Sequence, residues 1–75
     1  KPLRRTKMIL YDVSWIDENG VEYPMAEELS IYKALDAIKT DIREHGIEDG
    51  GYYKLYEYNE DDEQEIKRIF KFGRI

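Results

Sequence analysis

The chain has no cysteine, one histidine and two prolines. Without cysteine it cannot form disulfides, thiolate zinc sites or iron–sulfur clusters, and it has no cysteine nucleophile. A lone histidine, His45, excludes a multi-histidine metal site and argues against a hydrolytic triad within one chain. Apolar runs are short, Met8-Ile9-Leu10-Tyr11 being typical, and none approaches the roughly 18 residues of a membrane-spanning helix. The basic stretch Lys1 to Lys7 is not followed by the apolar segment of a secretory signal. The first residue is Lys rather than Met, as expected of a processed or trimmed product. Together these absences suggest a cytoplasmic setting and no membrane partner. At 75 residues the chain suffices for one small domain, with residues 1–6 and 73–75 expected as flexible or extended ends.

What is present is aromatic and charged. Seven Tyr, two Phe and one Trp give enough bulk for a core, while 39% of residues carry charge. Ile9, Tyr11, Val13 and Trp15 alternate with Asp12 and Ser14, the period of a half-buried strand. Asp17-Glu18-Asn19-Gly20 follows, and Asn-Gly points to a hairpin with a type I′ turn. Val21, Tyr23 and Met25 make the return strand. Pro24 within it cannot donate to a ladder, which places that strand at a sheet edge.

Ser30 then has the character of an N-cap, with Leu29 and Ala34 as a hydrophobic staple. Ile31, Leu35, Ile38 and Ile42 recur at helical period, and His45-Gly46 closes the helix with a basic group and a left-handed cap. A helix beginning near Pro24-Met25 is the alternative. After a loop over residues 47–51, Tyr52 to Tyr58 reads as a third strand, with Tyr53 and Leu55 on one face and Tyr52, Tyr56 and Tyr58 on the other. Asn59 to Gln64 reads as a polar turn. Glu65 to Phe72 reads as a fourth strand, with Ile66, Phe70 and Phe72 on one face and Ile69 on the other. The order β-β-α-β-β implies an α+β two-layer sandwich: a four-stranded antiparallel sheet with one helix on one face, where Ile9 to Trp15 meet the helical stripe.

Net charge is −5 and unevenly spread. Eight of the twelve basic residues lie in Lys1–Lys7 and Lys67–Arg74, while all seventeen acidic residues lie between. Two acidic groups sit at the turns: Asp17, Glu18 and Glu22 at the first, and Glu60, Asp61, Asp62, Glu63 and Glu65 at the second. Such groups solvate a surface. They can also imitate a phosphate backbone and occupy a basic groove. The basic ends, with Tyr56, Tyr58, Phe70 and Phe72 on an open sheet face, are a third possibility, as a weak nucleic-acid site.

Specific chemistry is thin. Asn59 to Glu63 has contiguous acids and no Gly, unlike a calcium loop with its alternating ligands. Gly50-Gly51 lacks the lysine and spacing of a phosphate loop. His45 reads as a capping residue rather than a base. No cofactor or metal is implied, and nothing points to an enzyme. Seven tyrosines exceed what so small a core can hide, and Tyr favours interfaces because it gives wide contact for little rotamer entropy.

The element order, the size, the acidity and the segment Ala26-Glu27-Glu28-Leu29-Ser30 ahead of the helix resemble many small phage and mobile-element proteins, including nuclease inhibitors and DNA mimics. That resemblance carries no functional residue with it. The expectation is a non-enzymatic protein-interaction module using Tyr52, Tyr56 and Tyr58 or the acidic hairpin ends. The alternative is a nucleic-acid-related modulator, and a homodimer through a free sheet edge is a further expectation.

Overall fold

The computed structural model describes residues 8–46 and 50–73, with the side chain of Glu63 left out. Residues 1–7, 47–49, 74 and 75 lie outside that range, and with them the expectations placed on Lys1, Arg4, Arg5, Lys7 and Arg74. The elements are β1 (Ile9–Ile16), β2 (Glu22–Leu29), α1 (Ile31–His45), β3 (Tyr52–Asn59) and β4 (Asp62–Phe72). All strand pairs are antiparallel, in the order β2-β1-β3-β4, and the helix lies across one face as the second layer. Among the described residues no helix is long and apolar enough to cross a membrane.

β1 follows its alternation. Tyr11 and Val13 are buried under the helix, while Asp12 and Ser14 turn to the other face. The hairpin after it lies where Asn19-Gly20 places it, but its turn is not type I′. Gly20 has positive φ and Asn19 does not, and the Gly20 N–H donates to the Asp17 carbonyl at 2.9 Å. This is a type I turn closed by a glycine bulge. The Asp17 carboxylate selects it by accepting from the N–H groups of Asn19 and Val21, each at 2.9 Å.

β2 is an edge strand, as Pro24 requires. It runs on through Leu29, so the alternative helix start near Pro24 is excluded. Register shifts opposite Tyr11–Ser14 keep it paired, and Glu28 adopts φ 58. That conformation is costly for a residue with a Cβ. The Glu28 N–H donates to the Asp12 carboxylate at 3.0 Å, which anchors it.

Ser30 caps the helix, its Oγ accepting from the Lys33 N–H at 3.3 Å. Gly46 ends it at φ 75, its N–H bonded to the Ile42 carbonyl. The buried face differs from the expected stripe by one residue. Ala34 and Ile38 are buried, Ile31 and Ile42 flank them, and Leu35 is exposed. The methyl of Ala34 lets the helix approach the sheet, and Leu35, about 100° further round, falls outside the contact. Ile9 is likewise exposed and does not meet the helix. The core is Tyr11, Val13, Ala34, Ile38, Tyr53 and Leu55, bordered by Trp15, Met25, Leu29, Ile31, Ile42 and Phe70.

β4 begins at Asp62, three residues earlier than its hydrophobic pattern suggests. The turn is only Glu60-Asp61, with Asn59 opposite Asp62. A strand exposed at an edge tolerates polar residues, so hydrophobicity did not mark its start. A bulge near Lys67 sets Ile66 opposite Tyr58, while Phe70 and Phe72 lie opposite Leu55 and Tyr53. Ile66 therefore shares a face with Ile69, not with the phenylalanines.

Candidate interaction surfaces

The helix packs mainly over β1 and β2 and is reached from β3 by Tyr53 and Leu55, while the opposite face of β3 and β4 has no second layer among the described residues. On the face away from the helix, β3 presents Tyr52, Lys54, Tyr56 and Tyr58 in alternation. Opposite them lie Ile16, Ser14, Asp12 and Leu10 of β1, and from β4 Lys71, Ile69 and Ile66. This joins the three tyrosines expected together, but only two are presentable. Tyr52 and Tyr56 are half-buried, whereas Tyr58 is buried and its hydroxyl donates to Asp12 at 2.8 Å. Phe70 and Phe72 are on the helix side, so the grouping of Tyr56 and Tyr58 with them does not form. The most exposed tyrosines are Tyr23 and Tyr32, on other surfaces.

Two lysines join the half-buried tyrosines. Lys54 and Lys71 face each other across the β3–β4 ladder. The Lys54 ammonium lies 5.4 Å from the Tyr56 ring centre, and Lys71 lies 5.7 Å from that of Tyr52. Like charges directly opposite destabilise a ladder unless they are compensated. Here the compensation is a relay. A hydrogen bond to the Tyr56 hydroxyl holds Lys54 above its ordinary pKa range, and Tyr56 in turn donates to Glu22 at 2.7 Å. That bond, with one from Ser14, holds the Glu22 carboxyl below its ordinary range, while burial and the bond to Glu22 raise Tyr56. The sequence pointed to these tyrosines but not to the lysines, because the meeting of Lys54 and Lys71 depends on register.

The two acidic groups do not come together. β3 runs antiparallel to β1, so Asp17, Glu18 and Glu22 lie at one end of the sheet and Glu60, Asp61 and Asp62 at the other. An eight-residue strand separates them by roughly 25 Å. Asp17 and Glu22 also have structural tasks: Asp17 organises its turn and accepts from the Tyr23 hydroxyl at 3.0 Å, and Glu22 holds Tyr56. The backbone N–H of Val21 is the main cause of the lowered Asp17 pKa. Glu18, Glu60, Asp61 and Asp62 are exposed, and the side chain of Glu63 is outside the described set. Among the described residues no three His, Asp or Glu side chains converge as a metal site.

A cleft of about 260 Å³ lies between the helix end and the β1–β2 hairpin, lined by Trp15, Tyr23, Met25, Asp41, His45 and Tyr53 among others. Asp41 is its centre. It takes the Tyr53 hydroxyl at 2.5 Å and pairs with His45 Nδ1 at 3.1 Å. The four-residue spacing of Asp41 and His45 was the available sequence signal. His45 therefore has a carboxylate partner besides its place in the last helical turn. The Tyr53 proton is held by Asp41, so the pair orders the helix end against the sheet. Comparison with known proteins returns no matching family model, no matching curated protein and no matching solved structure.

Proposed function

We propose that this chain is a non-enzymatic protein-interaction module whose partner lies against the helix-free face of β3 and β4. One observation carries this reading: Tyr52, Lys54, Tyr56, Ile69 and Lys71 form a continuous aromatic and cationic surface with no second layer over it. Tyrosines are rigid anchors with a polar tip, and Ile69 at 47% exposure supplies apolar area between them. The facing lysines favour a partner with carboxylates, which would relieve their repulsion. The setting we assign is the cytoplasm.

The test is affinity capture from source-cell lysate with two folded double variants. Tyr52→Ala with Ile69→Ala should lose the partner, and Glu60→Lys with Asp61→Lys should retain it. The reverse pattern would transfer binding to the acidic turn and support phosphate mimicry. The Lys–Tyr pairs also favour a second reading, in which bases of a single strand stack on Tyr52 and Tyr56. Fluorescence anisotropy with a labelled single-stranded oligonucleotide at low salt separates the two. Binding that collapses with salt and with Lys54→Ala would replace the protein partner by nucleic acid.

A further inference from the structure

We infer that β4 is a self-pairing edge, through which two copies of this chain join antiparallel into one eight-stranded sheet. This goes beyond the interaction module above, since it uses the edge of the sheet rather than its face.

The two edges of the sheet are built differently. β2 carries Pro24, register shifts and the positive-φ Glu28, all of which spoil a straight row of donors and acceptors. β4 is eleven residues long, contains neither proline nor glycine, and has no neighbour on its outer side among the described residues; its register with β3 shifts on either side of Ile66 but is unbroken from Arg68 to Phe72. Ile66, Ile69 and Phe72 stand 41%, 47% and 39% exposed along it.

Its charge order names the occupant. Asp62 and Glu65 lie in the first half of the strand, and Lys67, Arg68 and Lys71 in the second. Edge lysines ordinarily repel an incoming strand. In an antiparallel pair of identical β4 strands, however, the acidic half of each copy meets the basic half of the other, twice, about one two-fold axis. Parallel pairing sets like on like and is rejected. Arg68, close to the axis, is already neutralised by Glu57 at 3.2 Å, so two copies of it can approach. Once the β4 edges are joined, the free edges of the assembly are the two β2 strands with their Pro24 residues, so pairing stops at two chains.

Sedimentation equilibrium over a wide concentration range, with three proteins, tests this. Wild type should be a dimer whose dissociation constant rises with salt. Asp62→Lys/Glu65→Lys makes the whole edge basic, and Lys67→Glu/Lys71→Glu makes it acidic. Each alone should weaken self-association at least about tenfold, and an equimolar mixture of the two should restore a dimer. All four positions are exposed, and circular dichroism confirms that each variant is folded. A wild type that stays monomeric, or a dimer that persists equally in both variants, overturns the proposal. The Asp62→Lys/Glu65→Lys variant leaves the β3–β4 face untouched. If it is monomeric yet captures the partner normally, edge and face are separate, and loss of one does not count against the other.

Discussion

Replacing Gly51 by Ala places a methyl where the indole of Trp15 now sits. A Cβ at that position would lie 2.1 Å from Trp15 Cζ2 and 2.3 Å from Cη2, with the Ile16 carbonyl at 3.1 Å on another side. To regain a contact of 3.4 Å the ring has to retreat by 1.3 Å, the difference between that distance and 2.1 Å. It has little room, because it packs on Tyr53 with ring centres 4.8 Å apart. Tyr53 is itself fixed to Asp41 of the helix. Overpacking of this kind costs about 1–3 kcal/mol, and a loosened aromatic pair adds about 1 kcal/mol. A total of about 3 kcal/mol is a large part of the net stability of a chain this short, and lowers the Tm by roughly 10–20 °C. Urea unfolding followed by tryptophan emission reads both effects, since Trp15 is the one tryptophan. Gly46→Ala is the control. Nothing lies within 4 Å of its Cβ and φ is 75, so only backbone strain of about 1 kcal/mol is expected. If Gly51→Ala unfolds within about 0.5 kcal/mol of wild type with unchanged emission, the packing of Trp15 over this backbone is wrong.

Tyr58→Phe removes the bond to Asp12, a charged acceptor, and should cost about 1.5–3 kcal/mol by denaturant unfolding; a neutral result would mean that Asp12 does not tie β3 to β2. Ser30→Ala should cost about 0.5–1 kcal/mol and lower helicity by circular dichroism, at the weak end for a cap because its bond is 3.3 Å long. Asp17 and Glu22 have pKa values lowered in the folded state, so each stabilises above its unfolded pKa and loses that contribution as pH falls through the folded one. The urea midpoint should therefore drop between about pH 5 and pH 3, less steeply in Asp17→Asn, and equal slopes would refute the turn assignment. Tyr11 runs the other way. Burial, then the hydrogen bond to Glu57, raises it to about 12, so its contribution is complete below pH 10.0 and lost as pH climbs toward 12. Tyr11→Phe should flatten alkaline unfolding measured by the same emission.

Local rules carried much of this fold. The alternation from Ile9 to Trp15, the Ser30 cap, the Gly46 stop and the edge place of Pro24 are each decided within a few residues, by periodicity, by a hydroxyl or by a missing N–H. What was hidden depends on residues far apart in the chain. The Asp17 side chain, rather than Asn-Gly alone, selects the turn, and Asp12 on β1 carries β2 past Glu28 to Leu29. The bulge at Lys67 moves Ile66 across the sheet, and pairing with β1 and β4 buries Tyr58 while Tyr52 and Tyr56 stay half-open. Tyr52, Tyr56 and Tyr58, all on one face of a strand, look alike in sequence, and only the neighbouring strands separate an anchor from a core residue. The opposite placement of the two acidic turns has the same origin, because it follows from β3 returning antiparallel beside β1.

The layers also explain why so short a chain has surface to spare. A helix with its side chains is about 10 Å across, and adjacent strands are about 4.8 Å apart, so one helix roofs about two strands. This sheet has four, and α1 sits over β1 and β2. The helix-free face of the β3–β4 flank is thus uncovered, while on the other face Tyr53 and Leu55 still reach the core and Phe70 borders it. Selection for solubility alone would have made that flank uniformly polar. Instead it holds Tyr52, Tyr56, Ile66, Ile69 and Phe72 among lysines, with Glu57 paired to Arg68 and further acids at the start of β4. Apolar area left on an unroofed flank risks indiscriminate association. The opposing charges along β4 narrow that risk to a partner with the complementary order, and a second copy of the same strand is the simplest molecule that has it.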